Sequence, residues 1–563
     1  MADLDVIIKG GTLVDGTRVP RYRADLGIKN GHVAEIGRLQ NHRAKKVLDA
    51  GGLIVAPGFI DLHTHYDAQI FWDPYCTISG WHGITSAVIG NCGFGFAPVR
   101  PEERERSMLT MTRVEAIPYA AMKEGMPWDW VTFPEFLNSI ERTPKGINLL
   151  PYVPVAPIMI WVMGLEEAKS GRRPTPAEEN EMCRILHEGM DAGGCGWSAQ
   201  RLGPDSVQRD YDGSPMVTDI MYNETAAAFA RVLGERNEGF MQMTYISATG
   251  DVAEVESHFE ELAEVSGRPI LFNVVQGSKH FPERHRNVLA WLDRCRAKGQ
   301  RIYGQGVTTD PGFTFTFEDW NMWDNVPAWR EATLGTLEER RTKLADPKRR
   351  PGLKNDPSGQ VTGAFDEIFI FSVKRPDLKS FENLTLREAG VREGKHPVDV
   401  LLDLAVADNL KTEFYTTLGC ELSQLAEVVR ADTTLLGVSD GGAHTKFFTA
   451  GRYPTETLAQ LVREHNVMSL EEAHWKLSAM PAFCAGFKDR GTLREGAPAD
   501  IVVYDYDNLK VLPMEIAHDL PGGEWRRIQK AEGYRYVLVN GEVTIENDQP
   551  TGVTSGRLLR HGS

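Results

Sequence analysis

The sequence contains little that could tie it covalently together or anchor it to a membrane. It has seven cysteines in 563 residues, an odd total with no Cys-X-X-Cys pair, which excludes a disulfide framework. It has no excess of basic charge. The formal net charge is −16, whereas a nucleic-acid or anionic-membrane partner calls for a basic face. No apolar run reaches the length of a membrane span. The opening MADLDVIIKGGTLVDG has no basic segment ahead of a long apolar core, so no signal peptide is expected. Together these absences predict a reduced, cytoplasmic chain with no nucleic-acid and no membrane partner.

What is present is an ordinary globular composition, 25% charged and 42% hydrophobic. The length suits roughly two to four domains, fewer if one is an α/β barrel. Both ends are rich in strands. In ADLGIKNGHVAEIG (24–37) two apolar-containing runs flank Asn30-Gly31, the favoured two-residue hairpin turn. YRYVLVNGEVTIE (534–546) repeats the device at Asn540-Gly541, after a further strand at 499–505. Between the ends, eight short apolar runs follow one another: GFIDLH, ITSAVIGN, INLLPYVPV, GCGWSA, GFMQMTYI, PILFNVV, RIYGQGV and TTLLGVSD. Helical stretches separate them, most clearly at 176–192, 251–267 and 282–299. The alternation predicts α/β architecture, a (β/α)8 barrel over 58–489, with a small β domain from 1–57 and 490–563. The long connections at 98–146 and 308–395 read as elaborated loops over the barrel mouth.

Within PGFIDLHTHYD (57–67), His63 and His65 stand two residues apart at the end of an apolar run. In a strand both imidazoles face the same side, as a metal ion requires, although two unrelated polar side chains would read the same way. Cys92 follows the second run and Asp440 closes the last. All four therefore fall where barrel enzymes carry functional groups, at the C-terminal ends of strands. Imidazole nitrogen, thiolate sulfur and carboxylate oxygen are the usual ligands of zinc. The alternatives are a small buried hydrophobe for Cys92 and a turn residue before Gly441-Gly442 for Asp440. The run FTFTFEDWNMWDNVPAW (313–329) gathers Phe313, Phe315, Phe317, Trp320, Trp323 and Trp329. It suits either a pocket for a hydrophobic acyl or aryl group, or a cap on the core or a subunit interface.

The segments VAPGFIDLHTHYD, NCGFGFAPV, GVSDGGAH and RGTLREGAPADIVVYD, with YVLVNGEVT near the end, resemble the metal-dependent amidohydrolase superfamily. Within it the chain is most similar to the N-acyl-D-amino-acid deacylase (D-aminoacylase) branch, through nearly its whole length. The resemblance implies a distorted (β/α)8 TIM-type barrel carrying zinc, with a small β-sandwich made from both termini. It also implies His63, His65, Cys92 and Asp440 as metal ligands, with Asp440 as the catalytic carboxylate. The implied reaction is hydrolysis of an N-acyl amino acid or related hydrophobic amide, with a metal-activated water and Asp440 as general base. Opening of a cyclic amide, imide or lactone is the alternative chemistry, and a non-catalytic scaffold is the alternative from another class.

Two departures from the branch stand out. D-aminoacylases carry one histidine ligand on the fifth strand and one on the sixth, but neither FMQMTYIS nor ILFNVVQG contains a histidine. The matching positions fall near Thr244 and near Asn273 or Val274. Oxygens of Gln242, Thr244 or Asn273 are weak zinc ligands beside imidazole. One tightly bound zinc ion is therefore expected, with a second ion left open and the loop histidines His280 and His285 as substitute ligands. The second departure is in AGRYPTETL, where Thr455 follows Tyr453-Pro454 in place of the branch's arginine. Lys446 or Arg452 would then hold a substrate carboxylate, and His444 would orient substrate or bind metal. The expected partner is a small hydrophobic amide, and assembly into a homo-oligomer is left open.

Overall fold

Strands that are covered on both faces must be apolar at nearly every position rather than at alternate ones. Ile84–Ile89 meets that condition, being buried at all its residues. In chain order the strands buried in this way, some with polar residues among the apolar ones, are Phe59–Asp61, Ile84–Ile89, Asn148–Pro151 with its continuation Val153–Pro154, Gly196–Arg201, Phe240–Tyr245, Ile270–Val275, Ile302–Gly306 and Thr434–Leu436. Every ladder between successive strands is parallel. The third strand joins two ladders, pairing with the second through Asn148–Pro151 and with the fourth through Val153–Pro154. A parallel bridge between Thr64 and Gly441 ties the exit of the eighth strand to that of the first, and the barrel closes there. All eight runs read from the sequence are these strands. The structure, a computed structural model, describes residues 3–246, 251–308, 312–318, 322–355, 363–417 and 419–561. Trp320 lies outside the described residues.

The three expected helices are Pro176–Asp191, Val252–Ser266 and Arg284–Ala297. Local chemistry sets where the first two start. Thr175 and Glu178 form a capping box ahead of Pro176, and the Asp251 carboxylate accepts from the Ala253 amide. In the connection 98–146 three helices replace the expected loop, and the first, Arg104–Val114, ends at Glu115.

Strands from both ends of the chain form one nine-stranded sheet. Ile501–Tyr504 lies antiparallel to Ile54–Pro57, which runs parallel to Leu4–Leu13. Both predicted turns are present, with φ of 50° and 78° at Asn30 and Gly31 and of 49° and 85° at Asn540 and Gly541. That left-handed pair defines a type I′ hairpin. The two tips meet so closely that a side-chain carbon on Gly541 would lie 2.7 Å from the Gly31 Cα, which leaves room for glycine alone. The last residues run elsewhere: Ser555 and Leu558 bridge to Lys145 and Leu149, along the third barrel strand.

The connection 308–395 contributes to a folded unit with its own core. Phe313–Phe315, Glu413–Thr416 and Phe369–Ser372 form a three-stranded antiparallel sheet, against which Pro397–Ala407 and neighbouring helices pack. Phe315, Phe317, Trp323 and Trp329 fill its interior, each 1% exposed or less, and the Trp323 and Trp329 rings stack at 4.8 Å. These four rings of the aromatic run are therefore core. Phe313, half-buried, is the one that reaches a cavity.

His82 shows how the barrel is fastened to the C-terminal strands. Its Nε2 donates to the Gln529 carbonyl at 2.9 Å, and its Nδ1 accepts from the Thr455 hydroxyl at 2.7 Å. Burial pushes this imidazole down to about 4; the Gln529 carbonyl opposes the shift and the Arg452 charge adds to it. The folded chain thus keeps His82 neutral while the unfolded chain protonates below its ordinary value of 6.5. Stability contributed by His82 is present above that value and is lost as pH falls toward 4, about 2 kcal/mol of it by pH 5. His82→Gln, whose amide can donate to Gln529 and accept from Thr455, should flatten the drop in melting temperature between pH 7 and pH 5. An unchanged slope in thermal melts would remove His82 from the acid response.

Candidate metal centre and substrate cavity

The first barrel strand delivers its two histidines to one point because its alternation continues past Asp61. Thr64 faces the other way, its hydroxyl donating to the Val88 carbonyl and its amide to Asn91 Oδ1. His63 and His65 lie with ring centroids 5.6 Å apart, and both are about 2% exposed or less. Cys92 arrives from the turn after the second strand. Its Sγ is 3.7 Å from His63 Nε2, and the ligand atoms of His63, His65 and Cys92 all lie within 4.8 Å of one another. Asp440 comes from the segment after the eighth strand, with Oδ1 3.1 Å from His63 Nε2 and 3.6 Å from His65 Nε2.

The surroundings hold these groups in one orientation. Gln305 on the seventh strand accepts from His63 Nδ1 at 3.2 Å, which leaves Nε2 as the lone-pair nitrogen facing the cluster. Gln242, expected among the weak ligand candidates, instead accepts the Cys92 amide at 3.2 Å. Asn273 and Thr244 are bonded to each other at 2.8 Å. Cys92, Asp440 and His444 all adopt left-handed backbone, with φ of 61°, 47° and 50°. Such conformations cost about 1–3 kcal/mol each where the residue is not glycine, and they concentrate at functional sites.

Sequence reasoning missed Glu115. It is 1% exposed, its Oε2 lies 3.2 Å from His444 Nε2 and 3.8 Å from His65 Nε2, and its carbonyl accepts the His444 amide at 2.7 Å. It lies in the first long connection, at the end of a helix, with no motif around it, so nothing local marks it. Burial alone would raise its carboxyl, but His65 and His444 hold it below the ordinary value. The same opposition runs through the cluster. Burial would lower the His63 imidazole, yet Asp440 and Cys92 raise it to about 10; burial would raise the Asp440 carboxyl, yet His63 and His65 hold it well below its usual range. The pocket favours positive charge among its anionic donors.

Asp440 and His444 also line a cavity of about 270 Å³, walled by Leu202, Val207, Phe272, Val274 and Phe313. The Asp440 side chain is 27% exposed and so links the buried imidazoles to that space. Lys446 and Arg452 do not line it. Lys446 pairs with Glu524 at 3.0 Å and Arg452 with Glu456 at 3.4 Å. Thr455 is likewise spent on structure, bonded to His82 and to the Tyr534 hydroxyl. The cation among the described lining residues is Arg284. His285 lines the cavity too, but its Nε2 is held by Glu427 at 2.8 Å, and His280 is exposed.

These donors fit a zinc-type ion. The ligand atoms of His63, His65 and Cys92 all fall within 4.8 Å of one another. His63 Nε2 lies 3.1 Å from Asp440 Oδ1 and 3.7 Å from Cys92 Sγ, and His65 Nε2 lies 3.6 Å from Asp440 Oδ1. Donors about 2.0–2.3 Å from one tetrahedral ion stand roughly that far apart. In addition, the buried Glu115 Oε1 has no hydrogen-bond partner among the described residues, as expected of a group awaiting a cation.

The match to known proteins makes this a metal-dependent hydrolase that acts on carbon–nitrogen bonds other than peptide bonds, and a parallel barrel with a His-X-His pair on its first strand agrees with that class. The chain belongs to the amidohydrolase family, whose sequence profile matches residues 46–545, and to its D-aminoacylase-like branch. It is 27% identical to the N-acyl-D-glutamate deacylase of Alcaligenes xylosoxydans xylosoxydans, over 99% of this chain and 96% of that one. It is 26% identical to the D-aminoacylase of the same organism, over 99% and 97%. In fold it matches the N-acyl-D-glutamate deacylase of Bordetella bronchiseptica, solved with zinc and a phosphonate inhibitor, at a TM-score of 0.67, 24% identity and 99% coverage of both chains. Replacing His63 and His65 together by alanine should lower metal affinity by at least about 10²-fold and abolish hydrolysis. Elemental analysis of the purified variant, with assays before and after chelation of the wild type, checks both; full activity in metal-stripped wild type contradicts the expectation.

Proposed function

We propose that this chain is a zinc-dependent hydrolase that cleaves the amide bond of an N-acyl amino acid or related hydrophobic amide, with Asp440 as general base. The observation that carries the reading is the position of Asp440, which contacts both buried histidines and opens to an apolar cavity. His63, His65, Cys92 and Asp440 would hold one tightly bound ion. When bound, zinc lowers the pKa of water and polarises a carbonyl. Asp440 accepts the proton of the attacking water and passes it to the leaving nitrogen, so that a carboxylate and an amine result. The apolar wall of Leu202, Val207, Phe272 and Val274 takes the acyl group and keeps bulk water from it.

Two curated relatives are an N-acyl-D-glutamate deacylase and a D-aminoacylase, which supports the D series as the first substrates to try. One observation favours the second reading, a cyclic amide, imide or lactone. Lys446, Arg452 and Thr455 are all engaged away from the cavity, so none of them awaits a substrate carboxylate. In this proposal residues 58–489 are the hydrolase barrel, flanked by a domain of 1–57 and 490–563. The location proposed is the cytoplasm, supported by seven cysteines that are all free thiols. No described helix is long and apolar enough to cross a membrane.

Asp440→Asn separates the reading from a merely structural aspartate. Asparagine retains a carbonyl oxygen and suits a turn equally well, but it cannot take a proton. The variant should fold and keep most of its metal while turnover falls by a factor of about 10² to 10⁴. The measurement is kcat at saturating metal on the best substrate from a screen of N-acyl-D-amino acids, N-acyl-L-amino acids and cyclic amides. Near-native turnover removes Asp440 from the chemistry, and a screen answered by cyclic amides alone selects the second reading.

A further inference from the structure

The inference rests on the metal-hydrolase reading and adds a ligand to it. We propose that Glu115 is a carboxylate ligand of the metal centre, supplying an anionic donor where the fifth and sixth strands supply no imidazole. At those strand positions Gln242 Oε1 accepts the Cys92 amide and Asn273 Nδ2 donates to Thr244, and the uncharged oxygens there are weak zinc ligands beside a carboxylate. Glu115 offers a carboxylate instead, with its Oε2 paired to His444. It is 1% exposed, and its Oε1 makes no hydrogen bond among the described residues. Leaving a buried carboxylate oxygen unsatisfied is costly, and a bound cation offsets that cost.

The distances agree with ligation. Glu115 Oε2 stands 3.8 Å from His65 Nε2, next to the 3.1–3.7 Å contacts that Asp440 and Cys92 make with the histidines, and 3.2 Å from His444 Nε2. Two ligands about 2.0–2.1 Å from one ion are separated by roughly 3.3 Å at a tetrahedral angle and by more in a five-coordinate arrangement. The charge distribution agrees as well. Among the described residues, Glu115 has ion-pair partners only in His65 and His444, and Asp440 only in His63 and His65. Among the described residues no lysine or arginine forms an ion pair with either carboxylate. A buried carboxylate, a partly exposed one and a cysteine gathered around histidines make a donor set for a divalent cation.

The test uses full-length protein, wild type and Glu115→Gln, stripped and reloaded with cobalt or zinc. The substitution keeps size and can still bond to His444, but it removes the anionic donor. Zinc affinity from chelator competition should fall by more than about 100-fold, beyond the 10–100-fold that loss of an outer partner brings. The visible spectrum of the cobalt form should change as well. Wild-type affinity and an unchanged spectrum in a folded Glu115→Gln overturn the inference. If the variant fails to fold, the metal-loaded wild-type crystal structure decides: a Glu115 oxygen at about 2.0–2.2 Å from the ion supports ligation, and one beyond about 3 Å overturns it. A wild type that holds no metal overturns the hydrolase reading itself, whereas metal-loaded wild type with an indifferent Glu115→Gln overturns only this ligand.

Discussion

The contact on which the rest depends is the short parallel bridge between Thr64 and Gly441, with the His65 amide donating to the Gly441 carbonyl at 2.6 Å. It joins segments nearly four hundred residues apart, and it is where the ring of strands closes. Backbone pairing at that seam leaves the side chains of His63 and His65 on one side and sets Asp440, the residue before Gly441, against them. Ser439 reinforces it, its hydroxyl donating to the His63 carbonyl at 3.1 Å while accepting the Gly441 amide at 3.0 Å. The site is thus a by-product of barrel closure. A fold that failed to bring the eighth strand to the first would have the histidines without the carboxylate.

Around that seam the structure spends polar groups with little redundancy. Gln305 orients His63, Gln242 orients Cys92, and Asn91 receives the Thr64 amide. Each comes from a different strand or strand exit, so the arrangement requires several strands in correct register at once. That is a physical reason for building a metal centre on a rigid barrel rather than on a loop, since donors must be held to fractions of an ångström. It also explains why left-handed backbone is tolerated at Cys92, Asp440 and His444: each is pinned by neighbours that over-determine it.

The departures from the D-aminoacylase pattern are coherent in space. Where imidazoles would stand on the fifth and sixth strands, uncharged side chains tie the strand ends together. The arginine position of the branch is a buried threonine that fastens His82 and Tyr534. Meanwhile a helix end from the first long connection brings Glu115 within 3.8 Å of His65 Nε2.

Much of this was legible in the sequence. Apolar runs of strand length, capping residues such as Thr175 with Glu178, and the two Asn-Gly turns are local signals, because they report what each segment needs from its neighbours in the chain. They located the eight strands, the hairpins and the ends at which His63, His65, Cys92 and Asp440 stand. What the sequence could not reveal concerns contacts between distant segments. The aromatic run at 313–329 reads equally well as pocket or core, and only packing against Phe414 and Leu401 makes four of its rings core. Lys446 and Arg452 are cations near the site in sequence, but the folded chain hands them to Glu524 and Glu456. Glu115 carries no local mark at all. Its importance arises because a helix in one connection ends beside a histidine from the first strand and another beyond the eighth, a coincidence that only tertiary structure creates.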